Sequence, residues 1–216
     1  GPLLALLAGH PLAGYDQARI KQFYDRLLAR LREQPGVLSA SVAQISVLTG
    51  SGSQRTIRVH GYESKPDENM NPSTNEVGPD YFRTMGLPLV AGREFTDRDV
   101  AGAPLVAVVN ETFASNFFGR DNPIGRRFYF RPNSDPLEVE IVGVVKDALY
   151  ENMREGTTKE NQTPRFAYTS YQQSDQLNEM TIYVRTSGSA AATVADRIRQ
   201  TVRDVAAGVP VHQMQT

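Results

Sequence analysis

Between Asp16 and Gln34, Ile20, Phe23, Tyr24, Leu27, Leu28 and Leu31 recur at intervals of three and four, the period of a helix with one buried face. Asp16 stands where a side-chain oxygen can accept from the first unpaired N–H groups, and Pro35-Gly36 stops the run. Val37 to Val47 carries Leu38, Ala40, Val42 and Ile45 in an imperfect alternation that predicts a strand. Thr49 to Ser53 is a short glycine–serine segment, either a subdomain hinge or a hairpin tip, and Thr56 to Val59 predicts another strand. Glu63 to Glu76 is polar, contains Pro66 and Asn71-Pro72, and reads as a loop.

Further along, Asp80 to Met85 predicts a short helix closed by Gly86, and Leu105 to Val109 a buried strand. That strand runs into a helix capped by Asn110, with Phe113, Ala114, Phe117 and Phe118 on one face and Gly119 at its end. Arg126 to Arg131 and Leu137 to Val145 flank Pro132 to Pro136 and predict a hairpin. Ala148 to Pro164 has little periodicity and reads as an exposed excursion. Strands are expected at Arg165 to Tyr171 and Met180 to Arg185, then a helix from Ala190 to Ala206, an end at Gly208 and a last strand starting at Val209 to Val211. The two ends of the chain therefore carry similar helix and strand units, which can pair into one layer with the middle inserted between them.

Composition narrows the function classes. The 216 residues are 40% hydrophobic and 22% charged, ordinary for a folded chain. With 23 basic and 24 acidic residues the net charge is −1, which disfavours nucleic acid as a partner. The absence of cysteine excludes a disulfide scaffold, thiol catalysis and cysteine-ligated zinc. The apolar run Leu3 to Ala8 is far shorter than the roughly 20 residues of a membrane-spanning helix. Gly1-Pro2 has the look of a tag-removal scar, so residues 1–14 are expected to be a cloning remnant or a frayed N-terminus.

Candidate chemistry is sparse. His10, His60 and His212 are far apart and none has a metal-ligand spacing. Asp97 and Asp99, after Glu94, offer carboxylates to a divalent cation or a hydrolytic reaction, but a turn and a cap explain them better than a six-oxygen cage does. Glu138 and Glu140 share the outer face of one strand, opposite Arg126, Arg127 and Arg131, and read as a charge ladder. Ser51 and Ser53 lie among glycines without a nearby histidine base. No nucleophile elbow, phosphate loop or dinucleotide fingerprint is present. Phe113, Phe117 and Phe118, like Tyr81 and Phe82, read as core rather than as an exposed platform. Catalytic, cofactor-binding and metal residues are accordingly expected to be none.

Taken in order, Gln34-Pro35-Gly36-Val37, Gly78-Pro79-Asp80-Tyr81-Phe82 with Met85-Gly86, and Ala91-Gly92-Arg93-Glu94-Phe95 form the start of a distinctive series. Val109-Asn110-Glu111 with Phe117-Phe118, Asn122-Pro123-Ile124-Gly125 and Ile141-Val142-Gly143-Val144-Val145 continue it. The series resembles the MacB-like periplasmic core domain of ABC transporter permeases, in the style of the duplicated orphan permeases. The resemblance implies an α+β fold of two subdomains. One is a porter-like sheet-and-helix layer built from residues 15–82 and 165–216; the other is a Sabre-like mixed α/β insertion over residues 83–164.

The same resemblance implies a non-catalytic periplasmic domain of an inner-membrane protein that needs no cofactor and transmits ATP-driven motion. Its implied partners are the transmembrane helices of the same permease, a cytoplasmic ATPase, and a periplasmic adaptor or cargo protein. Two other readings stay open from the residues: a free-standing periplasmic module binding a ligand between its subdomains, and a hydrolase using Glu94, Asp97 and Asp99.

Overall fold

The computed structural model describes residues 1–8, 15–45, 52–148, 163–178, 180–188, 191–205, 207 and 211–215. Among these residues it is a mixed α/β protein with one sheet and four α-helices. The strands are β1 (Leu3–Ala8), β2 (Val37–Ala43), β3 (Ser53–Gln54), β4 (Ile57–Val59), β5 (Ser73–Val77) and β6 (Leu89–Gly92). They continue as β7 (Val106–Asn110), β8 (Arg127–Phe130), β9 (Leu137–Val145), β10 (Phe166–Ser170), β11 (Thr181–Thr186) and β12 (Val211–Gln215). The helices are α1 (Gln17–Arg32), α2 (Tyr81–Met85), α3 (Glu111–Phe118) and α4 (Ala191–Val205). A turn of 3₁₀ helix, Tyr171–Gln173, follows β10.

The strand order is β12-β1-β11-β2-β5-β10-β7-β9-β8-β4, with β3 beside β5 and β6 beside β9. The sheet is mixed: β5 runs parallel to β10 and β7 parallel to β9, while the other neighbours are antiparallel. Its narrowest point is the contact of β2 with β5, where Ala43 is the partner of Val77. There the Gly78 N–H donates to the Val42 carbonyl and the Gln44 N–H to the Glu76 carbonyl, both at 2.8 Å. The division expected at residues 82/83 and 164/165 does not coincide with this narrowing.

Alternation along the strands sorts the core into faces. On one face of the first half, Leu4, Leu6, Ala40, Val42, Ile182 and Val184 pack under the apolar sides of α1 and α4. The two chain ends thus do share one layer. The same face of the second half carries Ala107, Val109, Val139, Ile141 and Ala167, beneath Phe113, Phe117 and Phe118 of α3. The opposite face holds one core that crosses the narrowing, with Ala5, Ala43 and Tyr183 from the first half and Val77, Val108, Val142, Phe166 and Tyr168 from the second. Asp16 caps α1 by accepting from the Arg19 N–H at 2.8 Å.

Three expectations change. Leu3–Ala8, expected to be a remnant or frayed, forms β1 between β11 and β12, because Leu4 and Leu6 bury fully while the backbone pairs on both edges. Residues 73–76, expected to be loop, form with Val77 the interior strand β5. Two of its polar side chains are satisfied locally: Asn75 bonds both the N–H and the carbonyl of Ile45, and Thr74 donates to Ser53. Leu89–Gly92, for which no element is predicted, forms β6. The Thr49–Ser53 hinge lies outside the described residues up to Ser51, as do positions 149–162 of the Ala148–Pro164 excursion and the start of the last strand at 209–210.

Candidate functional site

The joint between the two halves is built on α2, a helix too short to be stable alone and therefore held by its surroundings. Asp80 precedes it in the left-handed conformation, φ 62°, and makes no side-chain cap. Glu94, from the segment after β6, supplies the missing acceptor to the Arg83 N–H. Glu94 Oε1 is buried without a hydrogen-bond partner among the described residues. Burial, reinforced by the nearby Asp80 carboxylate, pushes the Glu94 carboxyl above its ordinary range. At the other end Gly86, φ 74°, ends the helix, and the Leu87 N–H reaches back to the Phe82 carbonyl at 2.8 Å.

Polar ties bind α2 to the first half. The Arg83 guanidinium donates to the Leu38 carbonyl at 3.2 Å, and the Thr84 hydroxyl to Ser39 Oγ at 3.0 Å in a buried setting. Arg185 of β11 donates to the Thr84 carbonyl at 2.6 Å. Arg32 of α1 donates to the carbonyls of Ala40 and Pro79, and its ion pair with Asp80, at 3.5 Å, is solvent-exposed.

Aromatic rings bind it to both halves. Tyr81 lies 6.3 Å from Tyr183 of β11 and 5.9 Å from Tyr168 of β10. Phe82 meets Tyr168 edge-on at 5.0 Å and Phe95 at 6.1 Å, and Phe166 stacks on Tyr168 at 4.4 Å. Such pairs add about 0.5–1.5 kcal/mol each beyond the area they bury. Aromatic rings around α2 therefore pack across the narrowing of the sheet.

The acids named from the sequence go elsewhere. Asp99 is buried; burial alone would raise its carboxyl, but the Arg93 guanidinium, bonding both oxygens at 2.8 and 3.1 Å, and the Thr96 N–H hold it below the usual range. Asp97 is exposed. Glu94, Asp97 and Asp99 thus have three different settings, and among the described residues no group of three or more acids and histidines could hold a metal. His60 is exposed; His10 and the side chain of His212 lie outside the described residues.

The charge ladder is partial. Arg127 pairs with Glu138 at 3.2 Å in solvent, Arg131 pairs with Asp135, and Arg126 lies over the Phe118 ring. Ser53 accepts from Thr74, and Ser51 lies outside the described residues. Phe113, Phe117 and Phe118 are core, as read from their spacing. Sequence reasoning missed Tyr168 and Tyr183 as bridging rings. Each sits in a strand that was foreseen, but which face meets α2 depends on strand order.

The family model of the MacB-like periplasmic core domain matches residues 6–201. The chain is 31% identical over 105 residues to the macrolide export ATP-binding/permease protein MacB of Neisseria gonorrhoeae, covering 49% of this chain and 14% of that protein. It is 35% identical over 71 residues to MacB 2 of Aeromonas hydrophila, covering 33% and 10%. It is 29% identical over 80 residues to the uncharacterized ABC transporter permease YknZ of Bacillus subtilis, covering 37% and 19%. The matched segments therefore span less than a fifth of each relative's length.

In fold the chain is similar to the periplasmic region of MacB from Actinobacillus actinomycetemcomitans, with TM-score 0.62 and 18% identity over 99% of this chain and 88% of that one. It is also similar to the extracellular domain of the noncanonic ABC-type transporter YknZ from Gram-positive bacteria, with TM-score 0.60 and 17% identity over 98% and 100%.

Proposed function

The chain belongs to the MacB-like periplasmic core domain family, and from that premise we propose that it is a non-catalytic lever of an ABC transporter permease. It passes ATP-driven movement from transmembrane helices and a cytoplasmic ATPase to the periplasmic side, where an adaptor or cargo protein is met. The family's domain is periplasmic, and among the described residues no helix is long and apolar enough to cross a membrane.

The observation that carries this reading is the α2 wedge. A lever must move as a body, and a sheet narrowed to one residue pair would bend there without reinforcement. The aromatic core that crosses the narrowing, with the Thr84–Ser39 and Arg185–Thr84 bonds, supplies that stiffness. In this reading the two units divide between β2 and β5, and α2 locks them. A non-catalytic role is supported by how the acids are used: Asp99 fixes a turn with Arg93, and Glu94 caps α2. Exposed Leu38, Leu89 and Val90 are apolar positions available to a periplasmic partner.

The test uses the full-length permease with its ATPase. This chain holds no cysteine; with any cysteines elsewhere in the full-length protein replaced, Glu33→Cys beyond α1 and Arg120→Cys beyond α3 give spin-label sites on exposed positions of either half. The expected result is a constant distance between the two labels within one copy, while distances between copies change on ATP addition. Labels that stay put between copies, or that separate within one copy, would remove the lever.

A further inference from the structure

Among the described residues three side-chain atoms are buried without a hydrogen-bond partner: Ser41 Oγ, Glu76 Oε2 and Glu94 Oε1. All three belong to the joint. Ser41 precedes Val42, whose carbonyl accepts from the Gly78 N–H, and a Cβ on Gly78 would stand 3.0 Å from Ser41 Oγ. Glu76 precedes Val77, the partner of Ala43, and its own carbonyl accepts from the Gln44 N–H. Alternation along β5 turns Glu76 away from the face on which Val77 meets α2. On that face Glu94 accepts from the Arg83 N–H in α2. Asp80, leading into α2, holds the left-handed conformation at φ 62° without the freedom of a glycine.

Neither acid takes part in an ion pair among the described residues. Glu76 bonds the Ser174 hydroxyl and feels Arg55, from the turn between β3 and β4, Lys21 of α1 and Asp175. Arg131 lines the same cavity of about 200 Å³ beside it, space into which a hydrated carboxylate can turn. Glu94 feels Asp80 and Arg83 of α2. The cations around Glu94 have other acceptors: Arg83 donates to the Leu38 carbonyl, Arg32 pairs with Asp80, and Arg93 pairs with Asp99. Burial raises both carboxyls above their ordinary range, with the Asp80 carboxylate adding to the effect at Glu94.

A packed joint that keeps unmet polar atoms and a left-handed aspartate is held against a cost that a hydrated, opened joint relieves. We infer that the joint is a proton-operated hinge: with Glu76 and Glu94 protonated the two halves stay packed, and loss of those protons admits water and lets the halves bend between β2 and β5. The neutral acid is the form that burial tolerates, whereas a carboxylate calls for water. Both carboxyls are raised in the packed joint, so packing is fully favoured below the ordinary value of 4.5 and less favoured as pH rises through the raised values. The hinge does not depend on the lever reading. Its consequence for transport does: a permease with this lever transmits motion less well as the outer pH rises.

Spin labels on Glu33→Cys and Arg120→Cys in this chain report the distance between the halves by pulsed dipolar spectroscopy. The distance distribution should be narrow at about pH 5 and about twofold broader at about pH 8. Glu76→Gln combined with Glu94→Gln mimics the protonated pair and should keep the distribution narrow at both. Glu138→Gln, on the exposed ladder, should leave the broadening as it is. Circular dichroism melts establish that each variant is folded, and either single substitution should remove part of the broadening if the double variant does not fold. A distribution that is the same at both pH values overturns the inference, as does broadening that persists in full in a folded Glu76→Gln, Glu94→Gln double variant. No ATP is involved, so either failure leaves the lever reading standing.

Discussion

Asn110 shows how much one side chain can hold and how little of that is visible locally. Fully buried, it accepts from the Phe113 N–H and from the Phe166 N–H, both at 2.9 Å, and donates to the Pro164 carbonyl at 2.8 Å. The cap at Phe113 is legible in the sequence, three residues away. The bonds to Pro164 and Phe166 are not, because they depend on β10 lying beside β7. Asn110→Ala leaves three backbone groups, two of them buried, short of a partner and is expected to cost about 2–4 kcal/mol, measured by urea unfolding.

Glu94 carries a pH signature of the opposite kind. Its folded carboxyl is raised above the unfolded value of 4.5, so the stabilising protonated form is fully present below that pH and its benefit is lost as pH rises through the raised value. Asp99, lowered from 3.8, gives its benefit above that pH and loses it only in stronger acid. Between pH 4.5 and 8 the Glu94 effect should therefore be separable. Glu94→Gln keeps an acceptor for the Arg83 N–H and should flatten the fall in melting temperature over that range. The slope should not vanish, since burial raises Glu76 as well. An unchanged slope in the variant would show that Glu94 is not desolvated.

At the scale of elements, the foreseen parts are those whose pattern is set by one neighbour. α1, α3, α4 and the β8–β9 hairpin each bury one apolar face, and spacing alone reveals them. β5 escaped notice because its run of Ser73, Thr74, Asn75 and Glu76 is polar, with Thr74 and Asn75 held by hydrogen bonds rather than by apolar contacts, and β1 because its alternation is blurred by a continuous leucine-rich run. β6 escaped because its identity lies in contact, not pattern. It crosses β9 where Gly92 faces Gly143, and a Cβ on Gly143 would stand 2.2 Å from the Arg93 carbonyl oxygen. Backbone cannot yield as a flexible side chain does. Gly143→Ala should cost about 2 kcal/mol or more and loosen β6. Faster amide exchange at Arg93, whose N–H donates to the Val142 carbonyl at 2.8 Å, is the measurement.

Across the whole molecule, one sheet face carries two separate cores and the other carries a core common to both halves. Two helix layers with nothing shared would open independently, since cooperative units follow contiguous packing. The shared face should prevent this, and Tyr81 is its centre, because its ring lies between Tyr183 of the first half and Tyr168 of the second. In the unaltered chain the slowest amides of β11 and of β9 should exchange with the same free energy, that of global unfolding. Tyr81→Ala removes a fully buried ring and should cost about 3–5 kcal/mol. It should also split the two sets, with β11 opening at lower free energy because the first half is then joined by the short β2–β5 pairing and by polar bonds such as those of Thr84, without the ring that packs against both. If β11 and β9 amides remain equal in the variant, the stiffness of the joint does not come from the aromatic wedge. The rigidity that a lever requires would then have to reside in the narrowed sheet itself.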